Sequence, residues 1–149
     1  MKTAIILCAA LLLAPAAALA RTVEVKMLDN SPEGGPGFAP DLVRIAPGDS
    51  IHFVAVDKGH SVDAIPTMIP AGAKPFASDM GQDLTVTFDK PGLYGFKCAP
   101  HYAIGMVGLV MVGDRHNEAA LKTVPQPGMA AGAFKALFDM LDATPAARH

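Results

Sequence analysis

Two turns built on Pro and Gly, Pro47-Gly48-Asp49 and Asp89-Lys90-Pro91-Gly92, each join one short run of alternating residues to another. Pro presets φ for a turn and Gly takes the backbone conformations that other residues avoid, so each cluster reverses the chain. Apolar side chains recur at every second position in Thr22 to Met27, Leu42 to Ala46, Ser50 to Val56 and Leu84 to Phe88. Leu93 to Cys98, with Tyr94 and Phe96, and Met106 to Val112, rich in Val, read as further apolar strands. A period of two places successive side chains on opposite faces of a strand. No long helical pattern separates these runs, so the spacing predicts an all-β sandwich or barrel rather than a parallel sheet with crossover helices.

The rest of the chain fits around that frame. Ser31 to Pro40, with Gly and Pro at six of its positions, reads as a surface loop, and Pro66 to Gly81 as another with room for one helical turn. Beyond Val112 the pattern changes. Asp114 is placed to cap a short helix over Glu118 to Val124, which Pro125-Gln126-Pro127 then breaks. Phe134, Leu137, Phe138 and Leu141 recur at helical spacing, and that face is expected to pack on the sandwich. A membrane-binding helix is the weaker reading, because its polar face offers Lys135 beside Asp139 and Asp142.

Residues 1–20 read as an export leader: Lys2 gives a positive start, an Ala- and Leu-rich stretch follows, and Ala18-Leu19-Ala20 forms a small-residue cleavage site. Pro15 interrupts the apolar run, which is too short to span a bilayer. Residues 21–149 then form one domain, with its helices from about residue 114, long enough to bury a single core. The net charge is −2, and loss of Lys2 makes it slightly more negative, which argues against nucleic acid as a partner.

Cysteine usage narrows the chemistry. Of two cysteines, Cys8 leaves with the leader, so Cys98 has no internal disulfide partner in an oxidising compartment. Taken alone, Cys98 leaves burial as a small apolar side chain and metal ligation equally open. Its surroundings separate them. Cys98-Ala99-Pro100-His101-Tyr102-Ala103-Ile104-Gly105-Met106 joins two predicted strands, bringing a thiol, an imidazole and a thioether to one short loop. His60, just past the Ser50 to Val56 strand in Asp57-Lys58-Gly59-His60, is the candidate fourth donor, since a sandwich can set that strand end beside the Cys98 loop. Each residue alone has an ordinary explanation: His60 on a loop surface, His101 in a turn, Met106 in the core. Together, one thiolate, two imidazoles and a weak axial thioether make the donor set of a blue-copper site, whereas zinc takes four strong tetrahedral ligands.

These residues resemble the cupredoxins, the type 1 blue-copper family, and among them the pseudoazurins. The C-x2-H-x4-M loop, Lys58-Gly59-His60, the opening Val23-Glu24-Val25-Lys26-Met27-Leu28 and the two C-terminal helical segments carry the resemblance, which spans nearly all of the chain after the leader. It implies a Greek-key sandwich of two sheets with two C-terminal helices, one copper ion held by His60, Cys98, His101 and Met106, and a periplasmic one-electron carrier. The partners it implies are a cytochrome-type donor and a denitrification reductase, such as copper nitrite reductase, as acceptor. Three positions depart from the family pattern. Ser61 stands where Asn usually ties the two ligand loops together, and Ile104 and Pro36 replace frequent Met residues. A hydroxyl can still make the tie.

Pro36, Pro100 and Ile104 are expected to form an apolar docking patch around His101, with Lys58 and Lys97 as a basic ring that steers acidic partners. Pro100 lacks an N–H and so cannot donate a hydrogen bond to the Cys98 sulfur. A second copper centre of the kind found in copper oxidases needs more histidines than His52, His60, His101, His116 and His149 supply, and Cys98 is followed by Ala99 rather than His, so an enzyme is not expected. A copper carrier or store is the stronger alternative, but such proteins use clustered Met or Cys, and here the Met residues are scattered. The protein is expected to be a monomer without stable membrane association.

Overall fold

The computed structural model describes residues 19–144. The leader expected over residues 1–20, with Cys8, and the terminal His149 lie wholly or almost wholly outside the described residues. Eight strands form two four-stranded sheets. The first runs β2 (Gly37–Ala39), β1 (Thr22–Leu28), β4 (Ser50–Ala55), β6 (Leu84–Thr87). The second runs β3 (Leu42–Ile45), β8 (Val107–Val112), β7 (Gly92–Lys97), β5 (Asp63–Ala64). β1 pairs with β4 and β3 with β8 in parallel, and the remaining pairs are antiparallel.

Alternation decides the inner face. In β4 the pattern puts Ile51, Phe53 and Ala55 inside while Ser50, His52 and Val54 look outward. Met27, Phe38, Phe53, Phe96, Cys98 and Met106 belong to the core between the sheets. Phe38 and Phe53 both set their rings edge-on to Phe96, at centroid distances of 4.8 and 5.3 Å. The Phe96 ring lies over Gly108, where a β-carbon would stand 2.1 Å from its Cζ; glycine there makes the close approach possible.

A second core lies on the other side of the β7–β8 sheet. α2 (Ala130–Ala143) lays Phe134, Leu137, Phe138 and Leu141 on Met68, Leu93, Leu109 and Met111. Packing of the C-terminal helix on the sandwich is thus borne out. It also explains why β8, unlike β1 or β4, is buried at every position: both of its faces are covered.

Three local readings change and one unassigned stretch gains a strand. Gly37–Ala39, expected as loop, is a strand because its backbone pairs with Lys26 to Leu28, and Phe38 plugs the core. Asp63–Ala64 is likewise a strand through its pairing with Lys97 and Phe96. The short helix α1 covers only Glu118–Leu121. Asp114 does not cap it, since its carboxylate accepts from the backbone N–H of His116 and pairs with that residue's ring. The expected helical turn after Pro66 is present as a 3-10 turn over Pro66–Met68.

Candidate metal centre

β4 and β7 run to the same end of the sandwich, where their chains leave the sheets as the His60 loop and the Cys98 loop. Cys98 follows the last residue of β7 and Met106 precedes the first of β8. The Cys98 N–H donates to the Met106 carbonyl at 3.0 Å, extending the strand pairing by one step. Within the loop the Met106 N–H donates to His101 O at 3.1 Å and the Gly105 N–H to Tyr102 O at 3.0 Å. Gly105, at φ 96°, takes the left-handed conformation that lets a 3-10 turn over Tyr102–Ile104 close directly into β8.

Three donor atoms meet between the loops. His60 Nδ1 and His101 Nδ1 are 3.1 Å apart, and Cys98 Sγ is 3.8 Å from the first and 3.6 Å from the second. Nitrogen and sulfur donors bonded to one first-row ion at about 2.0–2.3 Å in trigonal fashion stand about 3–4 Å from one another, so the triangle fits such an ion. His60, Cys98 and Met106 are fully buried, whereas His101 is half-buried. Burial pushes the Cys98 thiol up, against the Ser61 and His101 backbone N–H groups that favour the thiolate. A cation bound in the triangle would offset that penalty by taking the thiol proton's place.

Hydrogen bonds fix the donors from behind. The Ser61 N–H donates to Cys98 Sγ at 3.5 Å. Ser61 Oγ accepts from the Ala99 N–H at 3.3 Å and donates to Asp63 Oδ2 at 2.8 Å, so a hydroxyl spans the two loops. His60 Nε2, the ring nitrogen facing away from the triangle, pairs with Asp29 Oδ1 at 2.9 Å. Nothing in the sequence pattern had singled out Asp29. It lies one residue beyond β1, and only the parallel pairing of β1 with β4 brings it to His60.

Around the triangle, Lys58, Pro100 and Ile104 are exposed and Pro36 is half-buried. Pro36 and Ile104 line one groove with Met129 and Met140 of the C-terminal region, exposed apolar residues that the sequence pattern does not assign to this surface. Lys97 faces away from Cys98 as alternation requires, yet it is not free in solvent: its ammonium sits 4.7 Å from the Tyr102 ring centre. His52 and His116 lie apart from the triangle, paired with Asp83 and Asp114. Among the described residues no helix is long and apolar enough to cross a membrane.

Residues 25–113 match the family of copper binding proteins described as plastocyanin/azurin. The pseudoazurin of Methylorubrum extorquens is 55% identical over 108 residues, covering 72% of this chain and 73% of that protein. The pseudoazurin of Paracoccus pantotrophus is 48% identical over 120 residues, 80% of this chain and 83% of its own. The crystal structure of pseudoazurin from Methylobacterium extorquens superposes with a TM-score of 0.78 at 49% identity, covering 80% of this chain and 98% of that one.

Proposed function

This chain belongs to the pseudoazurins, within the plastocyanin/azurin family of copper-binding electron carriers, and we propose that His60, Cys98, His101 and Met106 hold its copper. The observation that carries the ligand assignment is the triangle of two Nδ1 atoms and a buried Sγ, 3.1 to 3.8 Å on a side. Met106 would supply the fourth, thioether donor, because its backbone is bonded to both Cys98 and His101 and its side chain is fully buried. The bound ion supplies a one-electron couple between Cu(II) and Cu(I).

The protein's own contribution is positioning. Cys98 continues the β7–β8 pairing through its bond to Met106. His60, on the loop between β4 and β5, is held by the Gly81 N–H on its carbonyl and by Asp29 on its ring, so neither donor moves far without breaking these bonds. His101, half-buried on the loop, is the donor nearest solvent and the exit for the electron. Pro36, Pro100 and Ile104 form the apolar contact around it, and Lys58 and Lys97 give that face a positive rim. Such a surface suits brief docking with an acidic partner.

The finer reading places residues 1–20 as an export leader, residues 21–149 as one domain in the periplasm, a cytochrome-type protein as donor, and a denitrification reductase such as copper nitrite reductase as acceptor. Family resemblance and the rim of lysines support it. Adding Cu(II) to the purified copper-free protein tests the site. An intense visible thiolate-to-Cu(II) absorption is expected, reversible over one-electron cycles and lost in Cys98→Ser; a colourless protein that only takes up and releases copper would favour a carrier or store.

A further inference from the structure

We propose that Asp29 is a positioning residue for the metal site, holding the His60 proton on Nε2 so that Nδ1 is free for the metal, and favouring Cu(II) by its negative charge. The inference rests on the copper reading of the triangle. His60 has no exposure at all, so whichever ring nitrogen carries the proton must find its acceptor within the protein. One acceptor faces Nε2 and two face Nδ1, the farther of these being Cys98 Sγ at 3.8 Å. Asp29 Oδ1 stands 2.9 Å from Nε2, and His101 Nδ1 stands 3.1 Å from Nδ1. A proton on Nδ1 would join the two imidazoles and close the triangle to metal. A carboxylate makes the stronger, charge-assisted bond, so the proton belongs on Nε2.

Asp29 is itself held. Its backbone N–H donates to Asp57 Oδ2 at 2.7 Å, and the Asp57 N–H donates to Met27 O at 3.2 Å, continuing the β1–β4 pairing beyond the end of β4. The Asp29 side chain is 65% exposed against 0% for His60, so the bond carries a solvent-facing charge onto a buried ligand. Exposure weakens the charge without removing it, because a contact at bonding distance lies well inside a Debye length of about 8 Å. A negative charge behind one ligand stabilises the ion in its higher oxidation state and so lowers the reduction potential.

The experiment uses the full chain as wild type, Asp29→Asn, Asp29→Ala and Asp29→Glu. The copper-loaded proteins are read by voltammetry, and the copper-free proteins by imidazole nitrogen NMR and by Zn(II) affinity. Asp29→Asn keeps an acceptor oxygen and loses the charge. It is expected to retain the Nε2–H tautomer while shifting the Cu(II)/Cu(I) equilibrium roughly tenfold toward Cu(I), which is about 59 mV for a one-electron couple. Asp29→Ala loses both, and is expected to show a similar potential rise, a mixed tautomer and Zn(II) binding weaker by about 10- to 100-fold. Asp29→Glu should return the potential toward wild type. A blue wild type whose potential is unchanged in Asp29→Asn, or a wild type with its proton on Nδ1, overturns this inference alone. A wild type that takes up no Cu(II) overturns the copper reading as well.

Discussion

The parallel pair β1–β4 ends twice in a buried polar group, and the two ends are built differently. Asp49 stands before β4, His60 beyond it, and with Ser61 they make up the buried polar or charged residues among those described. At the Asp49 end every acceptor is satisfied. Asp49 Oδ1 accepts from the Arg21 N–H at 2.9 Å, and Oδ2 accepts from Arg21 Nε and the Ala46 N–H, both at 3.0 Å. At the His60 end one ring nitrogen is bonded to Asp29 and the other faces a second imidazole and a thiol. A buried polar group whose bonds are all made locks a turn. One with a lone pair aimed at two other donors could share a cation with them.

The largest test of that contrast compares substitutions at the two ends. His60→Ala empties a fully buried position and should cost about 2–4 kcal/mol of stability in the copper-free protein, along with the blue colour. His101→Ala, half-buried on the loop, should cost about 1 kcal/mol or less while also abolishing the colour. Asp49→Ala should lower the denaturation midpoint yet leave the copper spectrum of wild type, separating the locked end from the open one. Urea titration and visible absorption read all three.

Partner encounter sharpens the contrast next. If the lysine rim serves the open end, the second-order rate of reduction of an acidic partner should fall about tenfold between low and physiological salt, and Lys58→Ala with Lys97→Ala should flatten that dependence. Equal rate constants in wild type and the double variant at both salt concentrations would remove steering from the account. A smaller effect is expected at Pro100. Pro100→Ala restores an N–H that can donate to the Cys98 sulfur, stabilising the electron-rich Cu(I) state, and a hydrogen bond worth about 1 kcal/mol should raise the potential by about 40 mV.

The least effect is the acid response of the locked end. Backbone N–H groups of Arg21 and Ala46 hold the Asp49 carboxyl below its ordinary value of 3.8. Its stabilisation is therefore fully present above that pH and is lost as pH falls through the lower folded value. Asp49→Asn should start less stable at neutral pH and lose less between pH 5 and pH 2, in urea midpoints measured across that range.

Much of this architecture is legible in the chain, and the parts that are not share a cause. β4 announces itself through local alternation after a Pro-Gly turn, β7 through an apolar, aromatic run after another, and the Cys98 to Met106 loop carries three donors within one segment. β2 does not, because Gly37–Ala39 is a strand only by virtue of its partner β1. Asn117 is equally silent: it sits at the start of α1, yet its amide brackets Leu93, accepting from that N–H at 2.8 Å and donating to that carbonyl at 3.0 Å. Asp29 is the sharpest case. A single Asp after a strand has no signature, and its place beside His60 follows from a parallel register, Met27 opposite Ala55, that no local pattern encodes.

A stiff β framework would assemble the donor triangle before any metal arrives. Crystal structures of the copper-free and Cu(II)-loaded protein test it directly. The Nδ1–Nδ1 separation of 3.1 Å and the Sγ–Nδ1 separations of 3.8 and 3.6 Å should persist in the copper-free protein to within about 0.5 Å. A copper-free structure with the His60 ring turned from Cys98, or a loaded one with copper bound elsewhere, would contradict it.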